Sequence, residues 1–535
     1  MNQTVINWVL LFCSICIFNF GYTQTTKGKG NSVGRINRVE YLKVPVFNNT
    51  ENNPLFKLDW FVNEMDGESI RNIQLQLDEV AVGVLSSVDI VTRDEREREK
   101  DLMRNATVHS TIRNFDRKTN VDVNISLHQG WNTIWFSAKL KKDASILKKM
   151  KVALAGITTK DGLAHRFNNT ASGKEEGVFR IGTAVRRAGD DKVHTYRIPG
   201  IAKTDKGTLI AVYDNRYEHS GDLPANIDVG MSRSTDGGQT WEPMKVIMDM
   251  GDPHKNNGVG DPAILFDPVT KKLWVAALWS KGNRSIAGSQ PGLSPDTTGQ
   301  LVLVSSDDDG KTWSQPISIT QQVKNPIWHL YFNGPGNGIA MKNGTLVFAS
   351  QYWDETTKPR SVGIPHSSII YSTDHGQTWK SGTGAKSNTT EAQVVEATPG
   401  TLMLNMRDNR GKFRSVATTT DMGQTWKEHV TSYHTLIDPV CMGGFIKSEI
   451  DVKGQKRDVL FFSNAASWHS RINISIKASL DNGNTWLNKN EVLIDERSCY
   501  GYSTMVAVDE NNIGLLYEGE GDLYFVTVPV ADIIQ

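Results

Sequence analysis

The chain has no surplus of either charge: 59 Lys and Arg residues stand against 59 Asp and Glu. A general nucleic-acid binder carries a basic footprint, so this balance argues against one. Cysteine is scarce, and two of the four, Cys13 and Cys16, sit in an N-terminal apolar run. Outside that run there is no Cys-x-x-Cys, and the chain has no His-Glu-x-x-His. No catalytic metal and no cofactor are therefore expected. Cys441 and Cys499 are either a disulfide or two buried thiols. The apolar run itself, residues 5–20, is uncharged but too short to read as a membrane span. Small residues precede Gln24, so residues 1–23 read as an export signal. The expected location is outside the cytoplasm (periplasm, cell surface or medium), with no integral span in the mature chain.

What is present divides the chain in two. Residues 24–176 contain short alternating strands such as "LFKLDWFV", "DVNISL" and "NTIWFSAKL", the pattern of an antiparallel β-sandwich. "RDEREREKD" (93–101) reads as a solvated loop or strand edge. Trp60, Trp131 and Trp135 are either core or, where exposed, a stacking surface for a sugar.

Residues 177–535 carry five copies of one octapeptide, beginning with "STDGGQTW" at Ser234 and recurring from residues 306, 372, 419 and 479. Unequal spacing of a fixed signature points to propeller blades with loops of different length. Within each copy the Asp bonds turn amides, Gly takes a backbone angle other residues avoid, and Trp packs between blades. Each copy holds too few carboxylates for a dedicated calcium loop. "GVFRIGTAV" (177–185) is expected to supply the outer strand of the last blade. The expected fold is all-β: a sandwich followed by a six-bladed propeller.

Hairpin arithmetic then gathers the polar residues. If the first hairpin turns at 206–207, Arg197 stands opposite Arg216. "EAQVVEA-TPG-TLMLNMR" sets Glu391 opposite Arg407, and "YSTMVAV-DENN-IGLLYE" sets Tyr502 opposite Glu518. Asp261 starts a hairpin, Arg471 precedes a third strand, and Asp222 lies in the loop after Arg216. In an up-and-down blade these positions share one face, and the octapeptides fall on the other. Taken singly, each residue is an ordinary turn, strand or surface residue. Together they form a mouth lined by arginines, which suit a carboxylate ligand.

"YRIP" at 196–199, the five Asp boxes, "EAQVVE", "LNMR" and "GYSTM…GLLYE" resemble the exo-sialidases of glycoside hydrolase family 33, over residues 178–535. The resemblance implies that Arg197, Arg407 and Arg471 hold the sialic acid carboxylate, with Glu518 orienting Arg197. It implies that Arg216 and Asp261 contact the sugar's O4 and N-acetyl side. Asp222 would be the acid/base, and Tyr502 with Glu391 the nucleophilic pair. Two departures are Thr419 for Ser in the fourth box and Tyr for the more frequent Phe opening "YRIP". The implied substrates are sialylated glycans: sialoglycoproteins, mucins and gangliosides. A trans-sialidase, an intramolecular trans-sialidase and a non-catalytic sialic-acid lectin are the alternatives on the same scaffold. An accessory carbohydrate-binding role is implied for residues 24–176, against a purely supporting one.

A tyrosine nucleophile has a physical reason. The anomeric carbon of sialic acid bears a carboxylate, and at ~4 Å with an effective dielectric of ~20 a Glu nucleophile would meet roughly 4 kcal/mol of repulsion. A phenol avoids that, but with a pKa of ~10 it needs a neighbouring base. Trp328, in "NPIWHLYF", either flanks the leaving group or packs between blades.

Overall fold

The computed structural model describes residues 38–63, 68–93, 106–167, 176–354 and 363–535. The apolar run, the cleavage site after residue 23 and all but Arg93 of the charged stretch 93–101 lie outside the described residues. The first blade is an antiparallel sheet of Thr195–Lys203, Leu209–Arg216, Ile227–Ser234 and Lys245–Met248, in chain order. The same pattern repeats over 257–318, 330–381, 389–428 and 444–495. A last sheet joins Ser503–Ala507, Asn512–Glu518 and Leu523–Pro529 to Val178–Arg186. The described residues thus contain six four-stranded sheets, some with short added strands. Their inner strands lie side by side in cyclic order, and the last packs against the first. The fold is a β-propeller.

Each Asp box is a corner between third and fourth strands. In the first, Asp236 Oδ1 accepts the Thr240 amide at 3.0 Å, and Ser234 Oγ accepts the Gly238 amide at 2.8 Å. Gly238 has φ +93°, and a Cβ there would collide with the Phe525 ring. In the fourth box Thr419 Oγ1 accepts the Gly423 amide at 3.0 Å, so the Ser-to-Thr change keeps the bond. The first box has an extra task. Its Gln239 donates to the Ala144 carbonyl at 2.9 Å and accepts the Ile146 amide at 3.0 Å, docking the sandwich.

The sandwich stacks a five-stranded sheet containing Asn53–Val62, Leu85–Thr92 and Gly130–Leu140 on a sheet containing Glu68–Leu77, Lys118–Leu127 and Lys149–Thr159. Alternate residues point inward, and Phe56, Trp60, Ile73, Val88, Ile125 and Phe136 fill the core. There is no seam near residue 177. Val178–Arg186 pairs with Leu523–Pro529 on one edge and with Lys149–Thr159 on the other, so one sheet runs from sandwich into propeller. The apolar core crosses with it, through Tyr196, Tyr213 and Phe525. Trp60 and Trp135 are buried, whereas Trp131 is 50% exposed beside Phe61. Cys441 and Cys499 are free thiols. Among the described residues no helix is long and apolar enough to cross a membrane.

Candidate active site

The sequence-predicted residues meet at one end of the propeller. Arg197 leaves the first inner strand at a bulge: Ile198 has φ +58°, and Pro199 lacks an N–H for the ladder. Glu518, fully buried, secures this strained turn. Its Oε1 accepts Arg197 Nε at 3.1 Å and the Ile198 amide at 2.8 Å, and its Oε2 accepts the Tyr502 amide at 2.9 Å. Arg197 and Arg471 stand over the Tyr502 ring, 5.1 and 5.7 Å from its centre. Arg471 is aimed by two backbone carbonyls, of Tyr500 at 2.8 Å and Val440 at 3.3 Å. The third arginine, Arg407, donates from Nη1 to the Tyr502 hydroxyl at 3.0 Å. Three guanidinium groups from separate blades thus surround one phenol.

That phenol is already engaged. Tyr502 Oη donates to Glu391 Oε1 at 2.5 Å, while Glu391 Oε2 accepts Arg407 Nη1 at 2.6 Å. Burial and then the Glu391 charge raise the Tyr502 pKa well above the ordinary phenol value, against the opposing pull of Arg407. The resting phenol is protonated, and its proton points at a carboxylate.

The opposite wall corrects the hairpin arithmetic. Arg197 pairs with Asp214, and Arg216 with Thr195, so the two arginines are not directly opposed. The turn centres on residue 206, half a position earlier, with the Thr204 amide donating to Thr208 O, and the bulge shifts the register again. Arg216 is instead held in an ion pair on its own strand. Asp214 Oδ2 accepts Arg216 Nε and Nη2 at 3.1 and 2.9 Å. Arg216 Nη1 donates to Asp222 at 2.7 Å and to the Ser220 carbonyl at 2.7 Å. Asp222 is largely exposed on its loop. Its partial desolvation raises its pKa, but Arg216 and Arg197 outweigh that and the net shift is downward. Asp261 shifts the other way, well above the carboxylate range, through burial and then the charges of Asp214, Asp222 and Glu391.

A model described as the N-terminal domain of BNR-repeat neuraminidase matches residues 34–162, and one described as a BNR repeat-like domain matches 198–495. A sialidase of Bacteroides fragilis is 46% identical over 420 residues, covering 76% of this chain and 75% of the relative. The chain belongs to the BNR-repeat sialidases. It is a glycosidase, an exo-α-sialidase of the glycoside hydrolase family 33 type. A Hadza microbial sialidase of known structure is 37% identical, with TM-score 0.85 over 93% of this chain and all of that one. The intramolecular trans-sialidase of Ruminococcus gnavus shares the fold at 18% identity, with TM-score 0.55 over 66% of this chain and 98% of its own.

Two features of the sialidase pocket escaped the sequence. Asp214 is one, although its place two residues before Arg216 on one strand was a signal for a shared face. The other is Arg414, fully buried, whose Nε donates to Asn405 at 2.8 Å and whose Nη1 lies 3.6 Å from Asp438. Trp328 stacks on Tyr352 at 3.9 Å and also on Tyr331, so it packs within its blade. Asp228, Asp249 and His254 lie close enough together to share a cation, but none of them is among the residues lining the mouth.

Proposed function

We propose that this sialidase is a retaining enzyme that releases terminal sialic acid from glycoproteins, mucins and gangliosides through a sialyl-tyrosine intermediate. The Tyr502–Glu391 hydrogen bond carries the reading. In this reading Arg197, Arg407 and Arg471 bind the substrate carboxylate, and Arg216 and Asp261 meet the O4 and N-acetyl side. As Tyr502 Oη attacks the anomeric carbon, its proton passes to Glu391 and the bond to the aglycone oxygen breaks. Asp222 gives that oxygen its proton. Asp222 then takes a proton from water, whose oxygen attacks the same carbon, and the Tyr502 oxygen leaves and recovers its proton from Glu391. Two inversions amount to retention.

The lowered pKa of Asp222 fits this sequence. The arginine field holds it ionised. A bound carboxylate offsets the charge of Arg197 and Arg407, raises Asp222 and makes it the acid when the substrate is in place. We also read the six sheets as blades of one closed ring and residues 1–23 as an export signal. Trapping with a 2,3-difluorosialic acid and peptide mass spectrometry tests the chemistry. The adduct is expected on the peptide carrying Tyr502; an adduct on any other residue, or none with active enzyme, rejects it.

A further inference from the structure

Arg216 hangs on a residue that the proposed reaction does not touch. Asp214 is 1% exposed and lies two positions earlier on Leu209–Arg216. Its Oδ2 grips Arg216, and its Oδ1 accepts the Asp261 amide at 2.9 Å, across the gap between the first two blades. We infer that Asp214 is a positioning residue for the sialidase reaction, fixing Arg216 and Asp261 together and, through Arg216, the seat of Asp222. The inference rests on the roles proposed above for those three residues.

Asp261 has φ +57°, a conformation uncommon for a residue with a side chain. Asp214 holds its amide from one side, and Asn333 Nδ2 holds its carbonyl at 2.7 Å from the other. The approach is cut to fit. A Cβ on Gly260 would stand 2.9 Å from Asp214 Oδ1, so the neighbouring position has to be glycine for the carboxylate to reach. Because Nε and Nη2 of Arg216 are both spent on Asp214, only Nη1 faces Asp222 and the Ser220 carbonyl. One buried oxygen therefore sets the plane of a buried guanidinium and the direction of its remaining nitrogen. Without Asp214, the directly bonded carboxylate left to Arg216 would be the exposed Asp222, and the acid would be drawn onto the arginine.

The test is Asp214→Asn, with kinetics referred to the folded fraction measured by circular dichroism. Asparagine keeps the size but turns an amide donor toward the donors of Arg216 or Asp261. KM is expected to rise and kcat/KM to fall about ten- to hundredfold, the scale of one charge-assisted bond. A pH profile on a natural sialoside supplies a readout that lost stability cannot move. Asp222 faces Arg197, Arg216, Arg407 and Asp261, with His219 on its own loop; removing the Asp214 charge makes that surrounding more positive. The alkaline limb should therefore move to lower pH. Gly260→Ala keeps every charge and displaces the carboxylate, so it should raise KM too, and it carries the test if Asp214→Asn fails to fold. A wild-type KM in either variant, or an unmoved alkaline limb in Asp214→Asn, overturns the inference. Arg216→Lys separates the two levels. Wild-type kinetics there reject the reading of Arg216, whereas a defect there with a silent Asp214 rejects only the present inference.

Discussion

Tyr502 and Glu518 hold each other twice: the Glu518 amide donates to the Tyr502 carbonyl at 3.0 Å, and the Glu518 carboxylate accepts the Tyr502 amide at 2.9 Å. The other carboxylate oxygen holds Arg197 and Ile198. The proposed nucleophile and a proposed carboxylate-binding arginine therefore share one buried anchor. Their spacing is fixed before any substrate arrives, the condition under which positioning contributes most to rate.

Tyr502→Phe removes the oxygen that receives the sugar and leaves this anchor intact, because the Glu518 bonds use Tyr502 backbone atoms. Hydrolysis of a natural sialoside should fall by orders of magnitude with an unchanged melting temperature. Wild-type turnover, with the α-anomer still released first when followed by NMR, would remove Tyr502 from the mechanism.

Asp222→Ala should cost about 10²–10⁴-fold on natural sialosides, the usual worth of a general acid. On aryl sialosides, whose leaving groups need little protonation, the loss should be much smaller. Parallel steady-state kinetics on the two substrates decide the point, and equal losses would assign Asp222 to binding.

Asp228 faces Asn215 across the first blade, on the strand next to Arg216, and is only 8% exposed. Burial, then Asp249, push its pKa up to about 6. A raised carboxylate pKa favours folding below the unfolded value of ~3.9, and that contribution is lost as pH rises through about 6. Asp228→Asn keeps an acceptor for the Tyr217 hydroxyl. It should raise stability at pH 7 by up to ~3 kcal/mol and flatten the decline between pH 4 and 6. Urea titrations at pH 4, 5, 6 and 7 check this, and parallel curves for variant and wild type would refute it.

How much of this was legible follows the hairpins. Ser503 pairs with Tyr517, so the register drawn from the turn carries Tyr502 to Glu518 as expected. It failed at Arg197, where a turn centred half a position earlier and a bulge moved the pairing; Pro199 marks the bulge in the sequence, but nothing in residue type gives the size of the shift. The continuity of sandwich and propeller was hidden for a related reason. Nothing in "VFRIGTAV" states that both its edges are paired, and strand partners far apart in sequence have no local signature. Burial of Trp60 and Trp135 but not Trp131 is likewise a property of what covers each strand.

Deleting residues 24–176 would strip Val178–Arg186 of a partner and open a shared core, so it cannot isolate a glycan-binding role for the sandwich. Trp131→Ala can. If the exposed Trp131 binds sugar, activity on a mucin should drop several-fold while a small fluorogenic sialoside is cleaved as before. Equal activity on both substrates would leave the sandwich a supporting role.

The sheet that ties Val178–Arg186 to Leu523–Pro529 also dictates an order of assembly. A ribosome makes the first of these strands roughly 340 residues before the second, so the two cannot pair until Leu523–Pro529 has emerged. A chain stopped before Leu523 carries all the mouth residues named here and still leaves Asn512–Glu518, the strand bearing the anchor of Arg197, as a bare edge. The edge on which that anchor stands is thus completed only by Leu523–Pro529, the strand that itself rests on Val178–Arg186.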